Sequence, residues 1–164
     1  NMLKSTEKPI KGMKLADKLG VSRQVIVQDI AILRASGKEI IATPQGYIMI
    51  KGNGNKLIKT IVCKHLGYDK IRDELNTIVD NGGKVIDVIV EHPLYGEIKS
   101  PLMISSRLDV EDFMDGLIKT KAEPLSSLTD GVHIHSIEVE DPQTESYDKA
   151  QNDLSEKKYL LLDK

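Results

Sequence analysis

The sequence predicts an α+β chain in two units, an N-terminal winged helix-turn-helix domain followed by a ferredoxin-like α/β sandwich. Three observations lead there. Charge divides along the chain: residues 1–50 hold eight Lys/Arg against four Asp/Glu, a net of +4, while residues 51–164 hold fifteen against twenty-one, a net of −6. Between the two lies Lys51-Gly52-Asn53-Gly54-Asn55-Lys56, a run with no apolar side chain and two glycines, which reads as a linker. The hydrophobic pattern also changes across it, from two helical stripes and a hairpin to alternating strands and helices. The expected domains are therefore residues 1–52 and 56–164.

In the first unit, Met13, Leu15, Ala16 and Leu19 recur at helical spacing and the segment stops at Gly20, which suits a left-handed helix end. Ser22 stands where an N-cap belongs, and behind it Ile26, Ile30 and Leu33 form one stripe of a second helix. After Gly37, Ile40-Ile41-Ala42 and Tyr47-Ile48-Met49-Ile50 flank Thr43-Pro44-Gln45-Gly46, the signature of a short hairpin that serves as a wing. The opening Asn1-Met2-Leu3-Lys4 reads as the last turn of a helix, so residues ahead of Asn1 are expected to be missing.

In the second unit, residues 57–64 are a mixed apolar segment and residues 69–79 an amphipathic helix that Asn81-Gly82-Gly83 ends. Residues 85–90 are β-branched enough for a core strand, and residues 96–104 return as a second strand after the Pro93-Leu94-Tyr95-Gly96 turn. Val110, Phe113, Met114 and Leu117 mark a helix, residues 132–139 alternate as a strand, residues 144–157 form a polar helix and residues 159–162 a closing strand. This is the β-α-β-β-α-β order of a ferredoxin-like sandwich with an added α-β.

Composition narrows the function classes. With 40% hydrophobic and 29% charged residues, the 164-residue chain has the profile of a globular protein. No apolar run approaches the ~20 residues of a membrane span, and no secretory leader opens the chain. One cysteine cannot form an internal disulfide. A cytoplasmic protein is expected.

The basic first unit suits a polyanion. Ser22, Arg23, Gln24, Val27 and Gln28 lie on the open face of the second helix, and Arg and Gln can make bidentate hydrogen bonds to purine edges in a major groove. Gln45 is expected at the wing tip, near the DNA backbone or minor groove, with Lys38 at its root. The alternative is a solvated helix surface or a protein-docking face.

All four histidines fall in the second unit. In Val132-His133-Ile134-His135 the two imidazoles share one strand face and can chelate one ion, with Ile134 expected to point the other way into the core. Exposed strand faces also tolerate histidine, so a purely structural pair is the alternative. Further donors are available in His65, Glu74, Glu91 and His92. Cys63 is read as a small buried hydrophobe in preference to a ligand. His92 and Tyr95 are either pocket residues at a strand end or, respectively, a turn-satisfied histidine and a packing ring. Asp109, Glu111, Asp112 and Asp115 supply favourable charge at the start of a helix.

The stretches Leu15-Ala16-Asp17-Lys18-Leu19-Gly20-Val21-Ser22-Arg23-Gln24-Val25-Ile26-Val27-Gln28-Asp29-Ile30 and Ala42-Thr43-Pro44-Gln45-Gly46-Tyr47 resemble the DNA-binding half of the niacin-responsive transcriptional repressors. Val85-Ile86-Asp87-Val88-Ile89-Val90-Glu91-His92-Pro93-Leu94-Tyr95-Gly96-Glu97-Ile98, Glu123-Pro124-Leu125 and Gly131-Val132-His133-Ile134-His135 resemble that family's three-histidine (3H) domain. The resemblance implies a homodimeric repressor, not an enzyme, that binds operator DNA of NAD-biosynthesis or niacin-uptake genes with nicotinic acid as co-repressor. It also implies a transition-metal site at positions matching His65, Glu74, His133 and His135, with Asp73 the neighbouring alternative to Glu74. Ligand type allows Zn, Ni, Fe or Mn. The competing classes are a metal-sensing repressor and a metalloenzyme fused to a DNA-binding module. Against the latter, the sequence has no H-E-x-x-H and no Gly-rich phosphate loop.

Overall fold

A computed structural model of the chain describes residues 2–50, 57–139 and 145–161. The chain divides into two compact units, residues 1–53 and 54–164. The linker read at residues 51–56 lies outside the described residues.

The first unit begins with a 3-10 turn, Met2–Ser5. Helix α1 (Gly12–Leu19) ends at Gly20 in the left-handed conformation, and α2 (Arg23–Ala35) starts from Ser22, whose hydroxyl accepts the Val25 N–H at 3.2 Å. Leu3, Leu15, Ala16, Ile26, Ile30 and Ile40 form its core. Met13, Leu19 and Leu33, which periodicity placed on the apolar stripes, are instead exposed. In so small a unit the buried stripe is narrow, and only the inner positions of each helix meet the core. Strands β1 (Ile40–Thr43) and β2 (Gly46–Met49) pair antiparallel as the wing.

The second unit is a four-stranded antiparallel sheet in the order β3-β6-β4-β5, formed by β3 (Leu57–Lys64), β4 (Lys84–His92), β5 (Gly96–Ile104) and β6 (Val132–Val139). A hairpin joins β4 to β5. Helix α3 (Tyr68–Asp80) carries the chain from β3 to β4 past β6, and α4 (Arg107–Thr120) from β5 to β6 past β4. This is the expected β-α-β-β-α-β sandwich, with the last strand between the first two. Ser106 and Asp109 cap α4 reciprocally, which accounts for the first of its acidic residues.

Ile71, Leu75 and Ile78 of α3 and Val110, Met114 and Leu117 of α4 pack on Ile61, Val85, Leu102, Ile104, Ile137 and Val139 of the sheet. Full burial of such side chains is worth roughly 1.5–3 kcal/mol each. Helix α5 (Ser146–Glu156) adds Leu154 to this core. The expected closing strand contracts to one bridge, Leu160 opposite Cys63, tied by Lys64 N–H to Tyr159 O at 2.8 Å and Leu161 N–H to Val62 O at 2.9 Å; Leu162 lies outside the described residues.

Candidate functional site

On the first unit, Ser22, Arg23, Gln24, Val27 and Gln28 are all exposed along the start of α2. Gln45 departs from expectation. Its side-chain amide is buried without a hydrogen-bond partner, so it is not presented at the wing tip. Residues 10 and 11 crowd the turn: Ile10 exchanges backbone hydrogen bonds with Tyr47, and a Cβ at Gly46 would lie 2.3 Å from the Ile10 oxygen. Pro44 is the exposed residue of the turn.

In the second unit, β6 alternates so that His133, His135, Ile137 and Val139 share the helix-covered face and are all buried. This corrects the expected orientation: the imidazoles face the interior, and the half-buried Ile134 lies on the opposite sheet face. The partner strand β3 sets Cys63 directly across from His133, and His65 follows its end. From above, α3 lowers Glu74 in the same stripe as Ile71, Leu75 and Ile78.

Glu74, 1% exposed, is the hub of the cluster. Its carboxylate contacts His65 Nε2, lies 3.2 Å from His133 Nε2 through both oxygens, and 3.3 Å from His135 Nε2. The rings of His133 and His135 meet edge to face at 4.9 Å, as do those of His65 and His133 at 4.8 Å. Burial alone would push the Glu74 carboxyl up, but the charge of His135 and hydrogen bonds from the three imidazoles hold it well below the carboxylate range. Burial disfavours charge on His135 too, yet the Glu74 carboxylate and the Asp87 backbone raise its pKa.

Asp73 is excluded from this hub. It turns toward Lys157 Nζ at 2.8 Å and the Tyr159 hydroxyl at 2.9 Å.

The second nitrogens of two rings are fixed by backbone carbonyls: His133 Nδ1 donates to Gly131 O and His135 Nδ1 to Asp87 O, both at 2.8 Å. A carbonyl only accepts, so each Nε2 of a neutral ring presents a lone pair to the carboxylate. Acceptor facing acceptor in a buried site demands either protons on the rings or a cation, and this tautomer is the one that metal-binding histidines use. The donor set of three imidazoles and one carboxylate therefore fits a divalent transition metal.

Beside the cluster opens a cavity of about 330 Å³. Val88, Leu102, Phe113, Leu117 and Leu125 give it apolar walls, while Glu74, His133 and His135 line one side. Residues 123–128, including the 3-10 turn Leu125–Thr129, complete the lining. His92 and Tyr95 are not among the lining residues, which corrects their expected place in the pocket. His92 Nδ1 accepts the Leu94 and Tyr95 N–H groups at 3.1 and 3.2 Å within the β4–β5 turn, and Tyr95 is 74% exposed. The turn satisfies the histidine locally. Glu91 is exposed beside it.

Sequence reasoning missed the residues that orient the cluster. Asp87 was the more detectable: a carboxylate inside the apolar run 85–90, it accepts the Ser136 N–H at 3.1 Å where β4 shifts register. Gly131 acts through its carbonyl, which no side-chain pattern reports.

Residues 58–163 match the 3H-domain family model and residues 1–48 a helix-turn-helix (HTH) domain model. The chain is 42% identical over 160 residues to the probable transcription repressor NiaR of Thermotoga maritima, covering 98% of this chain and 89% of that protein. It is 40% identical over 164 residues to the transcription repressor NadR of Bacillus subtilis, with the same coverage of each. The chain belongs to the 3H-domain transcription repressors. The repressor thus pairs a DNA-binding unit with a second unit built around the histidine cluster, and it is not an enzyme. No helix among its described residues is long and apolar enough to cross a membrane.

Proposed function

We propose that the repressor is a homodimer that binds operator DNA of NAD-biosynthesis or niacin-uptake genes when nicotinic acid, its co-repressor, occupies the cavity beside Glu74, His133 and His135. The observation that carries this reading is the adjoining of an apolar cavity and a buried Glu/His cluster. A volume of about 330 Å³ is at the small end of the roughly 300–1,000 Å³ of small-molecule pockets and suits a single aromatic ring.

Nicotinate brings a carboxylate into a region whose sequence carries net −6. A divalent transition metal (Zn, Ni, Fe or Mn) held by His65, Glu74, His133 and His135 would supply the compensating positive charge. The carbonyls of Gly131 and Asp87 fix the rings in the tautomer that leaves Nε2 available, and Phe113, Val88 and Leu102 shelter the ring from water. Arg23 and Gln28 are the base-contacting candidates on α2. Ligand binding favours whichever dimer arrangement binds ligand better, so operator affinity rises if that arrangement spaces two recognition helices one DNA turn apart.

Gel-shift titrations test the reading. Operator binding should tighten with nicotinic acid at fixed metal and respond weakly to nicotinamide, which lacks the anionic carboxylate. The Glu/His hub favours a second reading, in which the ion itself is the signal; there, titration with metal alone gives the full response and nicotinic acid adds nothing.

A further inference from the structure

Cys63 is the one residue of the cluster that the four-ligand set leaves without a role. It is fully buried, on the helix-covered face of β3 and paired across the strands with His133. Among the described residues, the donors whose ligand atoms all lie within 4.8 Å of one another are Cys63, Glu74 and His133. Its thiol is within hydrogen-bond contact of the buried Glu74 carboxylate, which places the sulfur at the hub of the histidine cluster. Independently, the two rings whose Nδ1 atoms donate to Gly131 and Asp87 aim Nε2 at that same carboxylate, a contact that either ring protons or a held cation completes.

We infer that Cys63 is a sulfur ligand of the ion held by Glu74 and His133, so that the metal centre has a mixed sulfur, nitrogen and oxygen donor set. The inference rests on the metal-binding reading above and deepens it. On coordination the thiol proton leaves to solvent and the thiolate binds the ion. The consequence is selectivity. A thiolate favours zinc-like, borderline-soft ions over manganese, which prefers oxygen donors.

The full-length protein loaded with Co²⁺ should show a near-ultraviolet thiolate-to-cobalt charge-transfer band beside its visible ligand-field bands. Cys63→Ser should lose that band while still binding cobalt, and its preference for Zn²⁺ over Mn²⁺ should fall on the order of tenfold, the scale on which neighbouring groups tune metal affinity. X-ray absorption of the Zn²⁺-loaded parent should show a sulfur scatterer at about 2.3 Å. This measurement needs no variant, so it decides the matter even if Cys63→Ser fails to fold. Cobalt uptake with ligand-field bands alone, or a zinc shell of nitrogen and oxygen only, overturns the role of Cys63 and leaves the Glu/His metal reading standing. No uptake of either ion overturns both.

Discussion

At the scale of single residues, Arg23 and Gln28 stand exposed on the first turns of α2. If each makes a bidentate base contact, Arg23→Ala or Gln28→Ala should remove about 1–3 kcal/mol of specific operator affinity, measured by gel shift against a scrambled duplex. Gly131 has φ +87°, and a Cβ there would lie 2.6 Å from the His65 carbonyl oxygen, so the site excludes a side chain. Gly131→Ala should lower Tm and weaken metal binding together, because it displaces the carbonyl that orients His133; an unchanged metal affinity would remove that link. The histidine pair was legible because a strand alternates every second residue. What pattern could not tell was which face the core would cover, and the buried Glu/His hub claims that inner face. His92 shows the opposite limit, since a histidine that serves its own turn carries the same local signal as one that lines a pocket.

Among the elements, β6 and α3 dominate the site, and their titration gives a testable sign. His135 has a pKa raised above its ordinary 6.5, burial being outweighed by Glu74. In metal-free protein its contribution to stability is therefore fully present below that value and lost as pH rises through the higher folded-state value. Glu74 is depressed below its ordinary 4.5, burial again being outweighed, here by the imidazoles. Its contribution is present above 4.5 and lost as pH falls through the lower folded-state value. Thermal denaturation of the stripped protein should thus peak in mildly acidic solution and decline toward alkaline pH, and His135→Ala should flatten the alkaline decline. The double change His133→Ala, His135→Ala should abolish bound metal by elemental analysis and blunt the nicotinic acid response, while non-specific DNA binding persists. The paired strands and helices were readable because each is long enough to show its period. The 3-10 turn Leu125–Thr129 was not, because five residues with two serines establish no period, yet it supplies much of the cavity lining. Gln45 illustrates a non-local cause: residues 10–11, distant in sequence, pack on its turn.

For the whole molecule, the division of charge, +4 in residues 1–50 and −6 in residues 51–164, separates a DNA-attracting part from one that repels phosphate. On the proposed reading, an anionic effector binds the acidic part where a held ion supplies the positive charge, which would tie its binding to that metal. The most direct measurement is the affinity of the purified protein for operator duplex as nicotinic acid is added, in metal-loaded and metal-stripped samples at one salt concentration. The account expects nicotinic acid to tighten operator binding in the loaded sample and to leave the stripped sample unchanged. Equal tightening in both, or none in either, would contradict it.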